Sequence, residues 1–132
     1  MSTAQLKLKS KFFPVSVRDK VAAVVRRLHD KKGVDIVALD LVRENTLYDA
    51  VVICGARSVR HGQGMADYLL NSAPEDGLEY LRMEGHALGS WILLDFNEVV
   101  VHIFQAESRG AIRLEDMWPK APVSADTGKE KG

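Results

Sequence analysis

Residues 90–105, "SWILLDFNEVVVHIFQ", carry the clearest structural signal in the chain. Two runs of apolar and β-branched residues flank Asn97-Glu98, which predicts a β-hairpin with a two-residue tip. Directly paired residues of a hairpin share a face of the sheet, and side chains alternate between faces along each strand. This register therefore predicts one mixed face that carries Trp91, Leu93, Asp95, Val100, His102 and Phe104.

The opposite face of the predicted hairpin is wholly apolar, and we expect it to lie under helices. Its residues are Ile92, Leu94, Phe96, Val99, Val101 and Ile103. The mixed face combines a large aromatic residue with a few polar groups, which is typical of a protein-binding hot spot. Two alternatives stay open. Helices on both faces would make His102 and Trp91 core residues, and a three-residue turn would separate them.

The rest of the chain predicts further helices and strands around the hairpin. Ser16 and Ser58 are candidate helix caps, and Gly33 is a candidate stop. The elements are a helix in "SVRDKVAAVVRRLHDKKG", antiparallel strands in "VDIVALDL" and "YDAVVICG", a helix in "SVRHGQGMADYLLNSA", a strand in "LEYLRME" and a closing helix in "ESRGAIRLEDMW". The resulting order, α-β-β-α-β-β-β-α, predicts an α/β fold with helices packed on a mixed five-stranded sheet.

Length and composition predict one domain between two tails. The 132 residues suffice for a single modest core. We expect an N-terminal arm at 1–15, an α/β domain at 16–118 and a disordered C-terminal tail at 119–132. No apolar run approaches the ~20 residues that span a bilayer, and no signal peptide is recognised. The single cysteine, Cys54, is consistent with a reduced, cytoplasmic setting.

The charges are balanced overall but unevenly distributed. Residues 1–33 hold nine basic and two acidic residues, whereas 34–132 hold nine basic and sixteen acidic ones. An acidic body disfavours nonspecific nucleic-acid binding and favours docking on a basic protein. The alternative is a basic helix and an acidic sheet that neutralise one another.

Signals for catalysis are weak. The four histidines show neither HxH nor HExxH spacing, and Cys54 ends an apolar strand, so we expect no metal site and no cofactor. The loop "ICGARS" resembles a phosphate cradle but lacks the P-loop lysine and the GxGxxG pattern. A nucleotide-using enzyme built on this loop with Asp40 and Asp49 is the rival interpretation from a different class.

Several motifs together resemble one family, the ribosomal silencing factors, also called Iojap-like proteins. The motifs are "DIVALDL", "DAVVIC", "RSVRH", "MEG", "WILLDFNEVVVHIF" and "ESRGAIRLEDMW". The chain departs from the family pattern at Tyr48, where threonine is frequent, and in the loop "GARSV". The resemblance implies a fold related to nucleotidyltransferases but without their catalytic acids, and a protein that is not an enzyme.

The resemblance also implies a partner and a mechanism. Such proteins bind the large ribosomal subunit through ribosomal protein fourteen, block joining of the small subunit, and so repress translation when nutrients are scarce. Organellar relatives act instead in large-subunit assembly. The resemblance implies that Trp91 contacts the ribosomal protein, and it matches further signature positions at Asp95, His102, Arg60, Asp49 and Glu84. We expect no membrane partner and no sequence-specific nucleic acid. The mixed face of the hairpin, if exposed, could pair with a second copy when the protein is free.

Overall fold

The computed structural model describes residues 15–41 and 47–109. Its elements are α1 (Val17–Asp30), β1 (Val34–Asp40), β2 (Ala50–Ala56), α2 (Val59–Ser72), β3 (Arg82–Glu84), β4 (Trp91–Phe96), β5 (Val99–Gln105) and α3 (Ala106–Arg109). The five described strands form one sheet in the order β1-β2-β5-β4-β3. The β2–β5 pair is parallel and the other neighbours are antiparallel. The mixed five-stranded sheet is therefore confirmed. The predicted arm up to residue 14, the closing helix beyond residue 109 and the tail lie outside the described residues.

The hairpin of β4 and β5 has the predicted register. Trp91 pairs with Phe104, and the pairing continues to Phe96 and Val99 at the tip. At the tip Asn97 has a φ of +72°, and the Glu98 N–H donates to the Phe96 carbonyl at 2.9 Å. This is a γ-turn, and asparagine adopts positive φ more readily than most residues. The tip therefore closes without the glycine that such hairpins usually carry.

Both long helices pack on the apolar face of the hairpin. The main core cluster combines residues of α1, such as Val24 and Leu28, with residues of α2, such as Met65 and Leu69. All six hairpin residues that were expected under helices belong to this cluster and are 0% exposed. The second face of the sheet carries a smaller apolar cluster that includes no residue of α1 or α2. The mixed hairpin face therefore lies on the side of the sheet away from both long helices.

The helix caps follow the predicted chemistry, with one correction at the end of α1. Ser16 accepts from the Asp19 N–H at 3.1 Å, and Ser58 accepts from the His61 N–H at 3.0 Å. At the C-terminus of α1 the left-handed residue is Lys32, with a φ of +66°, rather than Gly33. The Lys32 and Gly33 N–H groups close a Schellman motif on the carbonyls of the last helical turn. Gly33 is needed for space, because a Cβ there would lie 2.5 Å from Cys54 Sγ.

Strand β3 is shorter than the predicted strand "LEYLRME". The Leu78 N–H still bonds to Ala73 as part of the turn that follows α2, and the chain first meets β4 through the Leu81 N–H and the Asp95 carbonyl at 2.8 Å. Tyr80 packs edge-on against Phe96, with ring centroids 6.2 Å apart. Only the last three residues of the predicted strand therefore join the sheet as its edge.

Candidate functional site

The candidate site is the hairpin face, which we define as the side chains of β4 and β5 that point away from α1 and α2. These are Trp91, Leu93, Asp95, Val100, His102 and Phe104. Of these six described side chains, Trp91 is exposed, at 42%, and Leu93 is half-buried. The other four are buried, so most of this face is not accessible as the protein-binding surface that the sequence indicated. The physical reason is local packing: Val100 and Phe104 belong to the second apolar cluster, His102 lies against the Trp91 and Phe104 rings, and Asp95 accepts hydrogen bonds from Tyr48 and Arg82.

Trp91 is fixed in place by the residue beneath it. Its indole N–H donates to Nδ1 of His102 at 2.9 Å. Burial lowers the pKa of His102 to about 4, so the ring is neutral near pH 7. Since Nδ1 accepts this bond, the proton of the neutral imidazole lies on Nε2. The N–H of the tryptophan is thereby satisfied inside the protein, and its carbon surface is the part left for a partner.

Phe104 completes an aromatic cluster under the indole. The ring centroids of Trp91 and Phe104 are 4.8 Å apart, and those of His102 and Phe104 are 6.3 Å apart with an interplanar angle of 12°. Phe104 is fully buried and also packs in the second apolar cluster with Val51 and Ile53. Packing against the buried ring of Phe104 therefore restricts the exposed indole of Trp91.

Asp95 belongs to a separate hydrogen-bond network at the other end of the hairpin face. Its carboxylate accepts from the Asn97 N–H at 2.9 Å, the Tyr48 hydroxyl at 3.0 Å and Arg82 Nε at 3.4 Å. Burial raises the pKa of Tyr48, and the bond to Asp95 raises it further. Among the described hydrogen bonds none joins Asp95 to His102, although the two lie on one face as predicted. Asp95 therefore fixes the hairpin tip and the β3 edge.

Sequence reasoning missed Arg82 and Tyr48 as partners of Asp95. Arg82 pairs with Asp95 across β3 and β4 and also forms an ion pair with Glu84. Its pKa is raised by hydrogen bonding to Tyr48 and to Asp95. The arginine of "LRME" is visible in the sequence, but only the register of β3 shows that it lies opposite Asp95.

The remaining predicted site residues are spread over the domain. Glu84 is exposed and pairs with Leu93, so it borders the hairpin face. Asp49 lies at the opposite end of the sheet from Trp91, because its N–H bonds to the Glu98 carbonyl beside the hairpin tip. Five strand residues separate the two ends, or roughly 17 Å. Arg60 is exposed on the first turn of α2, on the helix side. The structure thus brings Glu84 to the hairpin face but not Asp49 or Arg60.

The loop that resembles a phosphate cradle uses its polar groups internally. The Arg57 N–H donates to His61 Nδ1 at 2.9 Å, and His61 Nε2 lies 2.7 Å from the Lys31 carbonyl. Ser58 is occupied as the helix cap. Within residues 15–41 and 47–109 no group of three His, Cys, Asp or Glu side chains is arranged to hold a metal ion. In the same ranges no helix is both long and apolar enough to cross a bilayer.

Comparison with known proteins identifies similar chains. Residues 14–131 match the family model described as ribosomal silencing factor during starvation. The chain is 33% identical to ribosomal silencing factor RsfS of Halalkalibacterium halodurans, covering 83% of this chain and 93% of that protein. It is 34% identical to the protein of the same name from Bacillus subtilis, covering 80% and 87%.

More distant similarities extend to an animal protein and to a solved structure. The mouse protein named mitochondrial assembly of ribosomal large subunit protein 1 is 25% identical over 79% of this chain and 47% of its own length. A crystal structure from Chromobacterium violaceum superposes with a TM-score of 0.75 at 25% identity, covering 89% of this chain and all of that one. The fold described above is thus shared with a protein solved by crystallography.

Proposed function

The chain belongs to the ribosomal silencing factor family, and we propose that it represses translation by binding the large ribosomal subunit through ribosomal protein fourteen. The bound domain occupies space that the small subunit needs, so subunit joining is blocked under nutrient limitation. The proposal includes a fold related to that of nucleotidyltransferases without their catalytic acids. According to this proposal, the protein acts by steric obstruction of the small subunit and catalyses no reaction.

The observation that carries this proposal is the exposed and immobilised Trp91. Fully burying a tryptophan removes up to about 250 Å² from water, so its 42% exposed part offers on the order of 100 Å². The hydrogen bond to His102 and the contact with Phe104 already restrict the indole. Docking then costs little additional side-chain entropy, which is how a pre-organised anchor raises affinity.

The other residues of the proposed site have different roles. His102 and Phe104 support Trp91 from beneath, Leu93 and Glu84 form the rim, and Asp95 holds the tip of the hairpin. Arg60 and Asp49 remain predicted contacts, and both lie apart from the Trp91 anchor. A second copy of the chain could occupy the same surface in the free protein, which would make the homodimer and the ribosomal complex mutually exclusive.

The test is sedimentation of the purified chain with separated ribosomal subunits. We expect cosedimentation with the large subunit and not with the small one. Trp91→Ala should weaken binding about thirtyfold or more, because a central aromatic anchor contributes about 2 kcal/mol or more. Tyr80→Ala is the matched control, since Tyr80 is equally exposed at 42% but packs on Phe96, away from the hairpin face.

Two outcomes would contradict the proposal. Folded wild-type protein that binds neither subunit would remove the ribosomal partner, and nucleotide-dependent thermal stabilisation abolished by Asp49→Asn would then favour the enzyme. Wild-type binding by a folded Trp91→Ala variant would show that the hairpin face is not the contact. Circular dichroism of each variant establishes that it is folded.

The second candidate function is large-subunit assembly, which the name of the mouse relative favours. Silencing and assembly use the same partner, so a binding assay does not separate them. A joining assay does, because a silencing factor added to mature subunits lowers the fraction of joined ribosomes. Binding that leaves joining unchanged, together with large-subunit precursors in a deletion strain, would assign the protein to assembly.

A further inference from the structure

The loop formed by residues 85–90, which leads directly into Trp91, packs against the backbone of that residue. Gly85 and Gly89 have φ values of +80° and +79°, and the Gly89 N–H donates to the Gly85 carbonyl at 2.8 Å. A Cβ at Gly85 would lie 2.1 Å from the Trp91 carbonyl oxygen. Only glycine satisfies both the conformation and the space at this position. The 85–90 loop and the anchor residue are therefore one packed unit.

Side chains from two other elements tie the 85–90 loop down. Gln63 of α2 donates to the His86 carbonyl at 2.8 Å, and Gln105 of β5 donates to the Gly89 carbonyl at 3.0 Å. A Cβ at Gly89 would lie 2.4 Å from Cγ1 of Val59, so the loop backbone also touches the start of α2. The loop is held at both ends rather than free in solvent.

This fixed loop presents a large apolar side chain to solvent. Leu88 is 77% exposed, and two residues next to the loop, Val59 and Trp91, are each 42% exposed. Single exposed leucines are ordinary on protein surfaces. Here, however, the leucine belongs to a tethered loop that contacts Val59 at Gly89 and continues directly into Trp91. We call these three exposed apolar residues, Trp91, Leu88 and Val59, the apolar strip.

We infer that the docking surface for the ribosomal protein continues along this apolar strip and that Leu88 is its second anchor. The inference rests on the proposed function and names further contacts with the same partner. A specific protein interface buries about 800 Å² on each side, whereas Trp91 offers on the order of 100 Å². The interface must therefore extend beyond Trp91. The strip supplies exposed apolar side chains next to Trp91 in the chain and on a loop whose backbone is already tethered.

The first test compares two exposed leucines in the sedimentation assay with the large subunit. Leu88→Ser should weaken binding about tenfold, the loss expected when most of a buried leucine contact is removed. Leu47→Ser is the matched control, because Leu47 is 93% exposed but precedes β2 at the far end of the sheet. Both variants should keep the wild-type unfolding midpoint, since neither side chain is buried.

The second test identifies what Leu88 touches. Cys54 is buried and 0% exposed, so Leu88→Cys creates a selectively labelled site for a photo-crosslinker attached through maleimide. We expect the label at position 88 to crosslink to the same ribosomal protein that binds the hairpin face. The same label introduced by Leu47→Cys should give no crosslink to that protein.

The outcomes distinguish the inference from the function on which it rests. Weakened binding by Leu88→Ser, wild-type binding by Leu47→Ser and the expected crosslink support the second anchor. If Trp91→Ala weakens binding while Leu88→Ser binds as wild type, the second anchor is wrong and the proposed function stands. A crosslink from position 88 to ribosomal RNA or to a different ribosomal protein also overturns the inference. Wild-type protein that binds neither subunit overturns both proposals.

Discussion

At the scale of single residues, His102 carries the chemistry that shapes the candidate site. It is 8% exposed, and the side chains packed around it are aromatic and aliphatic. A buried imidazole is stable there only as the neutral form, whose Nδ1 then accepts the indole N–H of Trp91. A leucine would fill part of the space but would leave that N–H without its partner. Histidine at this position therefore both packs in the core and orients the exposed side chain of Trp91.

The buried His102 predicts a specific dependence of stability on pH. Its pKa falls from 6.5 in the unfolded chain to about 4 in the folded protein, so between these values the unfolded state binds more protons. The free energy of unfolding therefore has its full value above pH 6.5 and decreases as the pH falls towards 4. Between pH 7 and pH 5 we expect this residue to account for a loss of about 2 kcal/mol, measured by urea unfolding at both pH values.

Two variants isolate the contribution of His102 from that of other titrating groups. His102→Asn keeps an acceptor near Nδ1 but does not titrate, so its free energy of unfolding should change about 2 kcal/mol less than that of the wild type over the same interval. His29→Asn, at an exposed position of α1, should leave the wild-type difference in place. An identical pH dependence in wild type and His102→Asn would show that His102 does not titrate as a buried group.

At the scale of elements, local chemistry made some parts of the fold predictable and others not. The hairpin register follows from alternation and from a tip residue, Asn97, that tolerates positive φ. The starts of α1 and α2 follow from the serines that cap them. The extent of β3 does not, because its last residues pair with β4 whereas Leu78 still belongs to the preceding turn. Sequence pattern predicts an element well when its ends are set by its own residues.

The two glycines of α2 illustrate the same limit, because the sequence does not show which of them is required by close packing. A Cβ at Gly62 would lie 3.3 Å from the Ala56 Cβ, whereas a Cβ at Gly64 would meet no atom within 4 Å. Gly64→Ala should therefore raise the free energy of unfolding by up to about 1 kcal/mol, the difference in helix propensity between the two residues. Chemical denaturation of the variant measures this gain.

Gly62→Ala is the matched comparison in the same helix. It has the same propensity advantage, but its new methyl group meets Ala56 and Ile103 at 3.3 and 3.5 Å. The crowded contact should cancel some or all of the gain. A larger stabilisation at position 62 than at position 64 would contradict the packing described here.

Across the whole molecule, some of the basic residues of α1 form ion pairs with acidic residues of the same domain. Lys20 of α1 pairs with Glu98 at the hairpin tip, and Arg27 pairs with Glu75 and Asp76 after α2. Two basic side chains of α1 are therefore paired within the domain, with acids at the hairpin tip and after α2, whereas the acidic strands themselves supply none of these partners. These particular charges are not available to steer a partner. The composition alone could not distinguish the two uses, because the pairs join residues at least 48 positions apart.

Burial was the feature of the site that the sequence predicted least well. Alternation placed Trp91, His102 and Phe104 on one face, and the structure confirms that arrangement. Alternation does not say how strands are ordered in the sheet, and β5 proved to be an inner strand. Phe104 packs there with Val51 and Ile53 of β2 and is buried, whereas Trp91 is the exposed member of the aromatic cluster. Which residues can reach a partner is thus a property of the assembled sheet.

The pairing of α1 with the turn after α2 gives a final prediction about how the domain is held together. Arg27 has only 14% of its side chain exposed and donates to both carboxylate oxygens of Asp76, at 3.0 and 2.9 Å, and to the Tyr68 hydroxyl at 3.2 Å. Asp76 is 5% exposed. Arg27→Met would leave this carboxylate buried without its main partner, and we expect the free energy of unfolding to fall by about 3 kcal/mol.

The neighbouring Arg26 supplies the matched control, because it approaches the same carboxylate from an exposed position. Its side chain is 60% exposed and lies 3.9 Å from Asp76, a geometry that contributes at most about 0.5 kcal/mol. Arg26→Met should therefore unfold at nearly the wild-type denaturant concentration, whereas Arg27→Met should unfold well below it. Similar losses in the two variants would mean that general positive charge on α1, and not the buried Arg27–Asp76 pair, joins the helix to the rest of the domain.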